Sequence, residues 1–166
     1  MTKGFPFPLP FGRDAERGSA LVLVPAGFLV LVMLAAMAVD SAVAFLGQRQ
    51  LADALAAAAN DAASAAIADP SFYASGAVVI DPVRADQVVC QTVAAQSDGD
   101  LHHVVLAVAV AGAAVGVRGD AEVDEVFGRA LPGLHQRHVS ALAVAVASQG
   151  PVTADSVALD YQRISC

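Results

Sequence analysis

The sequence predicts an α+β protein. A long N-terminal transmembrane helix continues into an extracytoplasmic helix, which packs on a small antiparallel β-sheet with one further short helix. Three observations predict this class. An apolar run without a formal charge, Gly18–Val39, is followed by an Ala- and Leu-rich stretch without proline as far as Asp69. Two later segments, His103–Ala111 and His138–Ser148, alternate strictly in side-chain size, which is typical of strands.

Small residues supply most of the apolar content. The chain is 57% hydrophobic but only 5% aromatic and contains no Trp, so Ala and Val predominate. Its net charge is −7 at pH 7, and it has no basic tract. Neutralising a phosphate backbone needs clustered Lys and Arg, so the composition argues against nucleic acid as a partner.

The apolar run is long enough to cross a bilayer. As a helix its 22 residues span about 33 Å at 1.5 Å per residue, against a hydrocarbon core of roughly 30 Å. Basic residues precede the run at three positions, Lys3, Arg13 and Arg17, whereas only Arg49 follows at a comparable distance. This bias predicts a single-pass protein of the cell membrane with a cytoplasmic N-terminus. The segments are a cytoplasmic leader at 1–17, a transmembrane segment at 18–39 and an extracytoplasmic domain at 40–166.

A secretory signal peptide is the alternative interpretation of the same run. Ala36, Met37 and Ala38 form a small-residue cleavage motif, and cleavage there would leave Val39 as the mature start. The protein would then be a small secreted binding module released by signal peptidase. The apolar run exceeds the usual 7–15 residues of a signal peptide, and the sequence beyond it continues as helix.

The predicted helix extends past the run to about residue 69, because Asp69 precedes Pro70 and a residue before proline avoids the α region. Arg49 and Asp53 can pair at i,i+4 on its polar face. The opposite face carries a stripe of mostly small apolar residues, which we expect to mediate helix association. The stripe consists of Leu51, Leu55, Ala58, Ala59, Ala62 and Ala66.

Beyond Pro70 the pattern predicts shorter elements. Asp81 and Pro82 are a suitable N-cap and first residue for a helix that extends to about Gln96. We expect strands at Ala77–Ile80, His103–Ala111, Ala113–Arg118 (a weaker one), His138–Ser148 and Ser156–Ile164 (an edge), with a loop at Ser97–Asp100.

The two alternating segments each have a bulky face and an Ala-lined face. In His103–Ala111 the bulky face is Val104, Leu106, Val108 and Val110, and in His138–Ser148 it is Leu142, Val144 and Val146. An Ala-lined face allows close approach, so we expect both strands to turn their alanines toward the Ala-rich helix.

No set of residues predicts a catalytic, cofactor or metal site. Strand alternation sends His102 and His103 to opposite faces, and no acidic residue is spaced to complete a zinc site with His135 and His138. The acidic residues match no calcium loop, and we expect them on a solvated face; they are Asp98, Asp100, Asp120, Glu122, Asp124 and Glu125. Nucleotide-binding and nucleophile-elbow motifs are absent from the sequence. We therefore expect no enzyme and no small-molecule substrate.

Two cysteines, Cys90 and Cys166, leave two possibilities open. In an oxidising compartment they could form one disulfide, and otherwise they remain two thiols. Sequence does not give the distance between them, which decides between these possibilities.

Several segments resemble one family. Glu16–Val22 (ERGSALV), the apolar run ending in Val39 and Asp40, and Gln48–Ala54 (QRQLADA) are similar to the N-terminus of TadE/TadG-like proteins of the Tad (Flp) pilus system. Ala59–Ala63 (ANDAA) and Val126–Leu134 (VFGRALPGL) resemble later segments of that family. The likeness is strongest over the first 70 residues.

Membership implies a pilin-like membrane protein that serves pilus assembly or secretion. Its partners would be other proteins of the apparatus, or copies of itself, bound through the N-terminal helix. A prepilin peptidase would cut after Gly18 and leave Ser19 first. Such substrates often carry Glu at the fifth mature position, where this chain has Leu23. That departure favours a membrane-retained assembly component over a major pilus subunit.

Overall fold

A computed structural model describes residues 15–96, 101–128, 136–147 and 158–166. Within these ranges the chain has one long apolar N-terminal helix, two shorter helices and a four-stranded antiparallel sheet, which confirms the α+β class. The sequence predicted only one further helix. The elements are α1 (Ala15–Ala65), α2 (Asp69–Ser75), α3 (Pro82–Gln96), β1 (Leu101–Ala111), β2 (Ala114–Asp124), β3 (Gln136–Val146) and β4 (Gln162–Ile164).

The chain divides into two units, Met1–Ala38 and Val39–Cys166, and helix α1 contributes residues to both. In the first unit the described side chains from residue 22 onward are exposed, except for the half-buried Ala36. The second unit contains the sheet, α2, α3 and the part of α1 that covers the sheet. Its core is one continuous cluster of buried apolar side chains, which come mainly from α1, α3 and strands β1, β2 and β3, whereas α2 contributes no buried residue.

Helix α1 ends at Ala65, four residues before the predicted end. The chain is extended here because Ile67 forms a β-bridge with Ile80, and the N–H of Ala68 donates to the carbonyl of Val79 at 2.8 Å. Asp69 and the following proline therefore begin α2 and do not end α1, since the first helical turn tolerates a residue without an N–H. The predicted strand at Ala77–Ile80 is also wrong, because only this bridge forms.

Helix α3 confirms the predicted helix that begins after Asp81 and extends to about Gln96. The Asp81 carboxylate caps it by accepting hydrogen bonds from the N–H groups of Val83 and Arg84, at 2.9 and 3.2 Å. The exposed ion pair between Arg49 Nε and Asp53 Oδ2, 3.9 Å apart on α1, was predicted as well.

The sheet has the strand order β3-β2-β1-β4, and every neighbouring pair is antiparallel. A tight turn joins β1 to β2 at Gly112, whose φ of +59° lies in the region that glycine adopts without strain. Strand β2 extends six residues past its predicted end at Arg118, because β1 and β3 pair with it along its length and stabilise a sequence with weak strand propensity. The sequence predicted His102 and His103 on opposite faces because residues of a strand alternate. A register shift between His102 and Val105, with His103 at φ +51°, interrupts that alternation.

Helix α1 packs over β2 through close contacts at glycine. A Cβ at Gly119 would lie 3.0 Å from Leu55 Cδ1, and one at Gly47 would lie 2.5 Å from Val123 Cγ2. Because Gly119 pairs with Ala141, strand β3 turns its Ala-lined face toward α1, as expected. Strand β1 does the reverse: its bulky residues Leu106 and Val108 are buried in the core.

The expectation for β1 was wrong because a second helix, α3, packs over this part of the sheet. Its core-facing residues Val89 and Val93 are joined by Leu106 and Val108 in the same cluster. Larger side chains are needed there to fill the interior, since protein cores leave few voids.

Candidate functional site

The N-terminal part of α1 carries the exposed apolar surface expected of an anchor. From Val22 to Val39 the large apolar side chains are all exposed. Helix α1 is long and apolar enough to cross a membrane, and its most apolar stretch is not buried within the chain. A signal sequence near the N-terminus meets the same criteria of length and composition.

The predicted processing residues Gly18 and Ser19 lie within α1. Their backbone is helical, and cleavage between them remains a prediction. Leu23, which would occupy the fifth mature position after that cleavage, is exposed on the same helix.

The stripe predicted to mediate helix association packs instead on the chain's own sheet. All its members are at most 1% exposed, and all belong to the core cluster: Leu51, Leu55, Ala58, Ala59, Ala62 and Ala66. Leu51 and Leu55 lie over Gly119 of β2. In this fold the stripe is therefore not available to a partner helix.

Asp40 is the first charged residue after the apolar run, and it binds the loop that follows β2. Its Oδ1 accepts hydrogen bonds from the backbone N–H groups of Val126 and Phe127, both at 2.9 Å, and its Oδ2 accepts one from Gly128 at 3.1 Å. Three donors converge on one carboxylate, an arrangement that is stronger than three neutral bonds because the acceptor is ionised. We call this set the Asp40 clamp.

The clamp joins Asp40 to loop residues that follow it in the sequence by 86 to 88 positions. Sequence reasoning identified Asp40 only as the end of the apolar run and Val126–Gly128 only as part of a family-like segment. No local periodicity connects the two, since the pairing depends on how α1 lies along β2.

Exposed apolar side chains are found on both segments that the clamp joins. Val126 and Phe127 are exposed on the loop, and Phe45 and Leu46 are exposed on α1 one to two turns beyond Asp40. Two of them, Leu46 and Val126, line one cavity of about 530 Å³. It is lined by Val43, Leu46, Gly47, Gln50, His102, Val123, Asp124 and Val126.

Cys90 and Cys166 are joined by a disulfide, with their Cα atoms 5.5 Å apart. The bond ties α3 to the end of the chain just after the short edge strand β4. Burial raises the pKa of the Asp86 carboxyl, one helical turn before Cys90, above its ordinary value. Burial also raises the pKa of Tyr161, which lies over Gly116, while the charge of Arg118 opposes that shift.

Two of the histidines, His102 and His138, pair with acidic residues on neighbouring strands. His138 Nε2 lies 3.2 Å from Glu122 Oε1, and His102 Nε2 lies 3.7 Å from Asp124 Oδ2. Such cross-strand pairs depend on register, which the sequence did not supply. Asp120 and Glu122 are partly exposed on the sheet face turned away from the core, where a solvated face was expected.

Among the residues that the structure describes, no group of three His, Cys, Asp or Glu side chains could hold a metal ion. Three residues considered for metal binding, Asp98, Asp100 and His135, lie outside the described ranges. Comparisons with family models, with curated proteins and with solved structures return no match for this chain. The exposed part of α1, the Asp40 clamp and the disulfide are therefore the features from which a function can be inferred.

Proposed function

We propose that the protein is a non-enzymatic, membrane-anchored, pilin-like component of a Tad/Flp-type pilus or secretion apparatus. Its N-terminus would be cytoplasmic and residues 40–166 would fold outside the membrane. One observation carries the proposal: a single helix, α1, is apolar and exposed from Val22 to Val39 and then forms the core of an α+β unit.

The disulfide supports the proposed compartment. Disulfides persist in oxidising compartments and are rare in the cytosol, so a Cys90–Cys166 bond is favoured on the extracytoplasmic side. The protein would act by association. Because the Leu51–Ala66 stripe is buried in the chain's own core, association would use the exposed segment Val22–Val39 within the membrane, where helices pack through van der Waals contact.

The anchor can be tested with charged substitutions and a matched control. The double variant Leu29→Arg, Leu31→Arg places two charges near the centre of the segment, each costing about 2.5–3.5 kcal/mol on insertion scales. Leu142→Arg on β3 is the control, because Leu142 is 59% exposed and Leu29 is 61% exposed. We expect the double variant to leave the alkali-resistant membrane fraction and the control to remain in it. Unchanged fractionation of the double variant would reject the anchor.

The role in assembly needs a separate experiment. Deleting the gene in its native host should abolish pilus assembly or secretion, and the wild-type gene should restore it. The Leu142→Arg variant should restore it as well, whereas the double variant should not. Normal pili and secretion in the deletion strain would reject the proposed apparatus while leaving the anchor intact.

One observation favours a secreted module as the second candidate. The boundary between the two units falls between Ala38 and Val39, where signal peptidase would cut after Ala36-Met37-Ala38. Mass spectrometry of the mature N-terminus distinguishes the possibilities. An intact leader indicates a retained anchor, Ser19 indicates prepilin processing, and Val39 indicates secretion.

A further inference from the structure

We propose that four exposed apolar residues beside the Asp40 clamp form a second contact with the membrane, at the level of the lipid headgroups. This interfacial patch consists of Phe45 and Leu46 on α1 and of Val126 and Phe127 on the loop after β2. The inference rests on the proposed function, because it requires the preceding segment to lie in lipid.

Chain connectivity sets the depth of the patch. Asp40 directly follows the uncharged run Gly18–Val39, whose helical length of about 33 Å matches a hydrocarbon core of roughly 30 Å. A charged residue at the end of a transmembrane segment lies at the bilayer boundary. The clamp holds the backbone N–H groups of Val126 and Phe127 within 2.9 Å of that carboxylate, so the backbone of this loop lies at the same depth.

The two helix residues extend the patch by a short distance. Phe45 and Leu46 follow Asp40 by five and six residues, which is about 8–9 Å along a helix. Interfacial apolar groups insert about 5–10 Å around the boundary between headgroups and acyl chains. All four side chains are therefore within reach of the interfacial layer.

The four apolar side chains of the patch are largely exposed to solvent in the folded chain. Phe45 is 65% exposed, Leu46 63%, Val126 55% and Phe127 48%. Neighbouring positions on α1, Ala44 and Gly47, are buried, so the exposed pair faces away from the sheet. Leu46 and Val126 line the same cavity, so the helix and the loop meet there, and clustered exposed apolar residues mark an interaction surface. Lipid is the occupant that the sequence supports, because the patch is continuous along the chain with an uncharged apolar segment.

The charges near the patch indicate the type of lipid. Asp124 and Glu125 immediately precede Val126, and Asp40 is itself a carboxylate, while Arg49, one helical turn after Phe45, is paired with Asp53. An acidic rim disfavours contact with anionic headgroups. We therefore expect docking on zwitterionic lipid, weakened when anionic lipid is added at low salt.

The absence of Trp from the sequence allows a direct test with single-Trp variants of the full chain. Phe127→Trp reports on the patch. Phe72→Trp on α2 is the matched control, because Phe72 is also 48% exposed and is remote from Asp40 in the sequence. Leu31→Trp reports on the anchor. Each variant is placed in phosphatidylcholine nanodiscs with and without brominated acyl chains, which quench Trp at the depth of the bromine.

We expect bromines near the headgroup end of the acyl chain to cause a loss of Phe127→Trp emission, because interfacial groups insert to that depth, and to leave Phe72→Trp unchanged. Leu31→Trp should be quenched most by bromines deep in the chain. Retained disulfide in all three variants, checked by mass spectrometry, and equal urea midpoints exclude misfolding as the cause of a difference.

Two results would overturn the inference differently. If Leu31→Trp is quenched while Phe127→Trp behaves like Phe72→Trp, the anchor stands and the second contact does not exist. If Leu31→Trp is not quenched either, both the anchor and the patch fail. Protection of Phe127→Trp from aqueous iodide without quenching by lipid would show that protein covers the patch and would also reject lipid docking.

Discussion

Removing the carboxylate of Asp40 should release the loop after β2 and lower the stability of the folded unit. In Asp40→Ala the N–H groups of Val126, Phe127 and Gly128 lose their acceptor. A hydrogen bond to a charged group contributes about 1.5–3 kcal/mol, but water can replace part of it here because the loop is partly exposed. Bonds that share one acceptor are also not additive. We therefore expect a loss of about 2–4 kcal/mol for the whole clamp, and about half of that for Asp40→Asn, which keeps one acceptor oxygen.

The matched control is Asp53→Ala, on the same helix. Asp53 is exposed and its ion pair with Arg49 is 3.9 Å long, so its removal should cost about 0–0.5 kcal/mol. Both substitutions replace Asp by Ala in a helix, so the gain in helix propensity cancels in the comparison. Urea unfolding of the full chain in detergent, followed by tyrosine fluorescence, measures the difference. Hydrogen exchange at the three loop amides reports the clamp directly. Equal midpoints and equal exchange for the two variants would refute the reasoning.

Three further predictions concern the core, the disulfide and an acidic group. Gly119→Val should lower the free energy of unfolding by about 1–3 kcal/mol, because its Cβ alone would lie 3.0 Å from Leu55 Cδ1; an unchanged urea midpoint would contradict this close packing. Replacing both Cys90 and Cys166 by Ser should cost about 4–5 kcal/mol on chain-entropy grounds for a separation of 76 residues, and a reductant should then have no further effect on the melting temperature. Burial raises the pKa of Asp86, so the folded state holds this proton more tightly than the unfolded state, and stability falls as pH rises through the folded pKa. The melting temperature of Asp86→Asn should therefore equal that of wild type at a pH well below the ordinary pKa of an aspartate, and should exceed it at neutral pH. A gain in melting temperature that is largest at low pH would contradict this prediction.

Features that depend on local chemistry could be predicted from the sequence. The start of α3 is an example, because Asp81 caps the helix that begins at the adjacent Pro82. The end of α1 could not be predicted in the same way. The backbone of Ala66 and Ala68 is hydrogen-bonded to Asp81 and Val79, and these contacts override the helix propensity of an Ala-rich segment.

The orientation of the strands shows a second limit. Alternation correctly located β1 and β3, but it does not say which face of a strand is covered. In β3 the alanines face the core, whereas in β1 Leu106 and Val108 do, because α3 lies over β1 and the space beneath it requires larger side chains. Which face of a strand turns toward the core depends on how much space the covering helix leaves above it, and this space is set only when the whole unit has folded.

Asp40 combines a role that the sequence reveals with one that only the fold reveals. As the first charge after the apolar run it sets, under the proposed function, where the chain leaves the hydrocarbon core. As the acceptor for three backbone donors it also fixes the loop that carries Phe127. Under the same proposal the two roles are coupled, because the residue that defines the boundary would also hold the apolar loop at that boundary. Moving the first charge along the helix would therefore change the depth of the anchor and release the loop at the same time, whereas lengthening the run at its N-terminal end would leave the clamp intact.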